Sequence, residues 1–289
     1  MAGEENKELE WIEQPGGWEG DSEKIHEEET GKDNTNDGDG EEEDYGGFDL
    51  FGINSNKEST FSFDVVSPET KTSIAKLRLQ GFVLDSDETA QSTGVTLWKA
   101  APRLSAFLME NEAATNEFVR GKSVLELGAG LGLCGMVAHH LGASSVVLTD
   151  ADTITLERMR TNLSENCPAK GNDRDENDRA TAISCRQLIW NNTSQMEDCG
   201  TFDTILGADV IYTIESLDPL FDTVSYFLRK DGDTANDGAR RRSFVLSRFS
   251  KWGNITDETV LEAAEAHNLA WTRPSEGVFV FRTADNGGA

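Results

Sequence analysis

From residue 123 onward the chain alternates between short apolar runs and longer segments with one apolar face. Five runs read as strands: Ser123–Gly128, Ser145–Asp150, Ala182–Leu188, Phe202–Asp209 and Ser243–Phe249. Helical periodicity marks Leu133–Leu141, Thr153–Asn166, Leu217–Leu228 and Asp257–His267. Strands apolar on both faces, alternating with amphipathic helices, predict a mostly parallel sheet with helices on both sides, a Rossmann-like α/β fold. The run VFVFRT (278–283) follows its predecessor too closely for a helical crossover, so the last strand is expected to be antiparallel. Upstream, FSFDVV (61–66) alternates and Ile74–Val83 does so less cleanly, which predicts a small N-terminal β hairpin. Lys99–Glu112 reads as a helix with Leu104, Phe107 and Leu108 on one face, Pro102 fitting only its first turn. Pro168–Arg179 and Arg229–Arg242 read as exposed polar loops.

Composition separates a tail from this pattern. The net charge is −27, and residues 1–60 carry twenty acids against four bases. Residues 1–58 hold too little apolar surface to offset the entropy of ordering, so a disordered acidic tail is expected, followed by one domain over 59–289. Within the tail, Leu9–Trp18 and Tyr45–Phe51 are either docking patches or plain tail. The acidity argues against nucleic acid, whose phosphates need clustered Lys and Arg. It suits a basic protein partner, or serves only solubility. Cys134, Cys167, Cys185 and Cys199 lack metal-ligand or disulfide spacing, so no metal site is expected and a reducing compartment is. Neither a signal peptide nor a membrane span is read, which places the protein in the cytoplasm, or in the nucleus as well.

The sharpest local signal is VLELGAGLGLCG (124–135), a strand entering a glycine loop that opens a helix. Glycine there permits tight turning and lets a ligand touch the backbone. The spacing is GxGxG, and Leu133 stands where a dinucleotide fingerprint has its third glycine. Glu126 precedes the loop, where it would repel a pyrophosphate and welcome a cation. Asp150 ends the next strand, placed to take the hydroxyls of a ribose. An adenosine bearing a cationic amino-acid arm, S-adenosyl-L-methionine, satisfies all three features. Asp150 also reads as a cap for the helix beginning near Thr153, and Glu126 as a structural loop acid.

Five segments in order extend this: TGVTLWKAA (93–101), VLELGAGLGLCG, VVLTDAD (146–152), QLIWN (187–191) and FDTILGADVIY (202–212). Together they resemble the family-16, seven-β-strand S-adenosylmethionine-dependent methyltransferases, the non-SET protein-lysine group, over roughly Phe61 to Phe281. The resemblance implies a seven-stranded sheet. It also implies that Trp98 lies near the cofactor, that Glu126, Gly128 and Gly130 surround its methionine part, that Asp150 binds ribose and that Trp190 flanks adenine. Asp209 and Tyr212 match a [DE]xxY signature at the active site, with Asp209 touching cofactor as well. Asn191 replaces the more common glycine after Trp190. The implied partner is a protein substrate, basic or of the chaperone or translation type, methylated at a side-chain nitrogen by a monomeric enzyme. Lysine leads among the acceptors, with histidine and arginine open. ADVIY lacks the double proline of enzymes that methylate base amino groups. Two other readings remain at this stage: a small-molecule methyltransferase, and a non-catalytic module that holds a basic partner.

Overall fold

A computed structural model describes residues 58–84, 86–168, 182–229, 241–249 and 255–284. The expected acidic tail, and most of the two polar inserts, lie outside the described residues. The chain opens with β1 (Glu58–Val66) and β2 (Ser73–Phe82), a separate antiparallel hairpin. Three helices follow, α1 (Asp87–Gln91), α2 (Ala100–Glu110) and α3 (Glu112–Phe118). The main sheet is then built from β3 (Ser123–Leu127), β4 (Ser145–Asp150), β5 (Ala182–Gln187), β6 (Thr204–Ala208), β7 (Ser243–Ser247), β8 (Leu269–Ser275) and β9 (Val278–Thr283). Its helices are α4 (Leu133–His140), α5 (Thr153–Asn166), α6 (Thr193–Asp198), α7 (Leu217–Arg229) and α8 (Asp257–Ala266).

The strand order is β5-β4-β3-β6-β7-β9-β8, parallel except for β9, which runs antiparallel between β7 and β8. The order reverses between β3 and β6, and ligands in such sheets bind beyond the C-terminal strand ends at that reversal. Each sheet face has its own core. One buries Val124, Leu148 and Val245 beneath α2, α4 and α5; the other buries Leu125, Ile205 and Phe244 beneath α6, α7 and α8. Helix α7 shows why it belongs there: Leu217, Leu220, Phe221, Val224, Phe227 and Leu228 recur at three- and four-residue steps and are all buried.

Three expectations need correction. The single helix read over Lys99–Glu112 stops at Glu110, because Asn111 turns extended and its side chain accepts from Ala114 N (2.9 Å), starting α3. The strand β8 was missed because Pro274 breaks its pattern; the chain tolerates proline there on a sheet edge, at an irregularity between Thr272 and Ser275. Finally, β5 is largely exposed rather than apolar on both faces, since it forms the opposite edge.

The hairpin docks through side chains that imitate a strand. Asn162 of α5 accepts from Gln80 N (2.8 Å) and donates to Gln80 O (3.1 Å); Asn166 does the same for Arg78 (2.7 and 2.9 Å). Two amides thereby satisfy the free edge of β2. The hairpin also reaches the glycine loop: a side chain on Gly81 would meet Val95 O at 2.7 Å and Leu131 at 2.8 Å.

Candidate functional site

At the end of β3 the backbone enters the left-handed region at Gly128 (φ 58°), Gly130 (φ 54°) and Gly132 (φ 88°), then enters α4. That conformation alone selects glycine. Space selects it again, since a Cβ on Gly128 would lie 2.9 Å from Val210 and one on Gly130 would lie 3.2 Å from Gly94 O. The loop is thus flanked by the Thr93–Val95 turn on one side and by the segment after β6 on the other. Trp98, half-buried, is pinned to that turn by an Nε1–H bond to Thr93 O (2.8 Å). The Trp190 ring stands beside Gly128, its Cζ2 3.7 Å from where a Cβ would be.

Asp150 closes the loop from the next strand. Its Oδ2 accepts from Gly130 N (3.1 Å) and its Oδ1 from Asp152 N (3.1 Å). Burial raises its pKa above the ordinary carboxylate value. It does not cap α5. That cap is Asp152, whose carboxylate accepts from Ile154 N (3.2 Å) and Thr155 N (3.3 Å) and from the Ser92 hydroxyl. An acid directly before Thr153 was the readable signal for this cap.

Glu126 sits deeper than expected. It is 2 % exposed, and its Oε2 accepts from Gly135 N (2.7 Å) in the first turn of α4. Desolvation pushes its carboxyl up to about 8, with the Asp150 charge adding to the rise. Gly135 admits this packing, because a Cβ there would lie 2.0 Å from Leu148 and 2.9 Å from the Glu126 carboxylate. Glu126 is therefore an acid beneath the loop, bound to backbone.

Beyond β6, Asp209 takes a left-handed conformation (φ 51°) that is costly for a non-glycine residue. Two bonds hold it: its N donates to Ser247 O (3.0 Å), and its Oδ1 accepts from Phe249 N (2.8 Å). Phe249 was not anticipated. Behind it stands Arg248, an arginine directly after β7 to which the sequence assigns no role; it is buried and donates to Asp257 (2.8 Å), Thr256 O (3.2 Å) and Ile255 O (3.1 Å). Tyr212 is 52 % exposed, and burial of its remainder together with the Asp150 charge raises its phenol above the ordinary value. The structure thus gathers Trp98, Glu126, Gly128, Gly130, Asp150, Trp190, Asp209 and Tyr212 around one loop at the sheet's reversal.

These residues fit S-adenosylmethionine. Gly128 and Gly130 carry the backbone through a left-handed turn with no side chain on it, Asp150 offers oxygens suited to ribose hydroxyls, and Trp190 offers a flat apolar wall beside Gly128. Asp150 and Asp209 make the surroundings acidic, which suits a cationic ligand and opposes a polyphosphate, whereas Glu126, expected to attract a cation, stays protonated up to about pH 8 and adds no charge at neutral pH.

A family model described as lysine methyltransferase matches residues 80–249, more than half of the chain. Protein N-lysine methyltransferase METTL21A of Danio rerio is 34 % identical over 151 residues, covering 52 % of this chain and 62 % of that protein. Calmodulin-lysine N-methyltransferase of Arabidopsis thaliana is 27 % identical over 175 residues, covering 60 % of this chain and 54 % of that protein. The chain thus spans less than two thirds of the length of these curated relatives. Among solved structures, ribosomal protein L11 methylase from Lactobacillus delbrueckii subsp. bulgaricus superposes with a TM-score of 0.40 at 18 % identity, covering 65 % of this chain and 80 % of that one. The chain belongs to the lysine methyltransferase family.

Proposed function

We propose that this member of the lysine methyltransferase family transfers a methyl group from S-adenosylmethionine to a side-chain nitrogen of a protein, with lysine as the acceptor. One observation carries the reading: Asp150 bonds the glycine loop at Gly130 N, and the segment after β6 that carries Asp209 and Tyr212 packs on the same loop through Val210 against Gly128, with Tyr212 near enough to feel the Asp150 charge. Names of relatives that act on protein lysines point the same way. The cofactor supplies a methyl already activated by a sulfonium, so the protein's work is alignment and delivery of a neutral amine.

Gly128 and Gly130 let the ligand rest on backbone, while Asp150 accepts from its ribose. Asp209 is fixed in a strained conformation by Ser247 and Phe249, so its carbonyl and carboxylate hold constant positions at the pocket mouth. Tyr212 keeps its phenolic proton at neutral pH and offers both a donor and an acceptor to an incoming nitrogen. A lysine ammonium, near 10.4 in water, must lose a proton before attack. Leaving water for a site beside a cationic ligand pushes it down. Asp209 orients the amine and guides that proton toward solvent. The acceptor is protein rather than nucleic acid, and the protein acts as a monomer in the reducing cytoplasm.

The test uses the full chain with methyl-labelled cofactor and a cell lysate, followed by acid hydrolysis and separation of methylated amino acids. The expected label is methyl-lysine. Tyr212→Phe should lower turnover on the same substrate about tenfold or more, as loss of a hydrogen bond made at the reacting nitrogen does. Label only in methylhistidine, methylarginine or small molecules, or no label at all, would refute the assignment.

A further inference from the structure

Beside the mouth lies a feature that the chemistry above does not use. Phe249, whose amide holds Asp209, is 37 % exposed, and two cations sit against its ring. Lys99 Nζ is 5.2 Å from the ring centroid and Arg103 Cζ is 4.6 Å from it. Both cations lie at the start of α2, adjoining Trp98. Arg103 is steadied by a bond from Nη1 to Arg248 O (3.0 Å).

Their partners among the described residues are an aromatic ring and a backbone carbonyl rather than carboxylates. Acids outnumber bases by 53 to 26, and Arg120, Arg158, Arg248 and Arg282 each pair with a carboxylate. Lys99 and Arg103 pair with none among the described residues, resting on an aromatic face instead. Stacking on a ring keeps a cation in place without neutralising it. The mouth therefore presents an acid, Asp209, joined through one amide to a shelf of two positive charges. Exposed apolar side chains, Tyr212 and Ile214, stand on the neighbouring loop.

We propose that this shelf selects protein substrates whose target lysine is flanked by acidic residues, a reading that rests on the methyltransfer function proposed above. The lysine amine would enter beside Asp209 and Tyr212. A chain in extended form advances about 3.4 Å per residue, so carboxylates one to three positions from the lysine reach the cations across Phe249. The charge pattern of such a segment, positive then negative, complements the negative-then-positive pattern of the mouth.

The test compares lysine-centred peptides that differ only in the three residues on each side, carrying glutamate, alanine or arginine. Methyl incorporation by the full chain is the readout, with S-adenosylmethionine binding measured on the same samples. Wild-type protein should prefer glutamate flanks over alanine about tenfold, the scale of two partly exposed charge pairs. Lys99→Glu should abolish or invert that ratio, and Lys99→Arg should keep it. Equal rates across the flanks, or an unchanged ratio in Lys99→Glu, would overturn the proposal. So would a single-stranded oligonucleotide that displaces the acidic peptides, which would reassign the shelf to phosphate. Protein that binds the cofactor yet methylates no peptide overturns the substrate proposal; protein that fails to bind the cofactor overturns the function beneath it.

Discussion

Replacing Glu126 by glutamine should stabilise the protein, and increasingly so as pH rises. The wild-type carboxyl is buried, with one oxygen bound to Gly135 N and its acidity pushed to about 8 against an ordinary 4.5. Because the folded value lies above the unfolded one, the folded state binds the proton more tightly. Stability from this group is therefore full below about 4.5 and falls as pH climbs to about 8, then stays level. Ionisation at high pH costs about 5 kcal/mol in all, at 1.36 kcal/mol per pH unit over that interval. Between pH 6 and pH 9 the share lost is about 3 kcal/mol. Glutamine resembles the protonated acid: its carbonyl can still accept from Gly135, and it never ionises. Urea unfolding of both proteins at pH 6 and pH 9, without cofactor, measures the quantity. The wild-type-minus-glutamine difference should widen by about 3 kcal/mol at the higher pH, since other titrating groups cancel in the subtraction. A difference that does not change with pH would refute the idea of a neutral acid beneath the loop.

Asp150→Ala should weaken S-adenosylmethionine binding by about tenfold to a few hundredfold, the loss of one or two charge-assisted hydrogen bonds, read by calorimetry. Some of that loss should appear as instability, because Gly130 N and Asp152 N lose their acceptor. Asn162→Ala removes a fully buried amide that serves Gln80 and Leu131, and should lower stability by about 2–4 kcal/mol in urea unfolding. Gly135→Ala forces a Cβ against Leu148 and Glu126, and should cost about 3 kcal/mol or more by the same assay.

Much of the architecture was legible because periodicity reports burial directly. Strands β3, β6 and β7 are buried throughout or nearly so, and each stood out as an apolar run. Edge strands are harder: β8 is mostly exposed and contains Pro274, so neither apolarity nor propensity marked it. The glycine loop was readable because left-handed backbone restricts residue choice, and Asp150 because it ends a strand at a fixed distance from that loop. The shelf of Lys99, Arg103 and Phe249 was not readable. It joins residues about 150 positions apart, and only the register of β7 beside β6 brings Phe249 to Asp209. Glu126 was visible as an acid before the loop, but its bond to Gly135 depends on how α4 folds back over β3.

The most direct test of the central claim is calorimetric titration of the purified chain with S-adenosylmethionine and S-adenosylhomocysteine, alongside NADH, with Asp150→Ala as the control. Saturable one-to-one binding of the first two that weakens in the variant, with no NADH binding, is the predicted result. Folded protein that binds neither, or that binds NADH as well as it binds S-adenosylmethionine, would contradict the account.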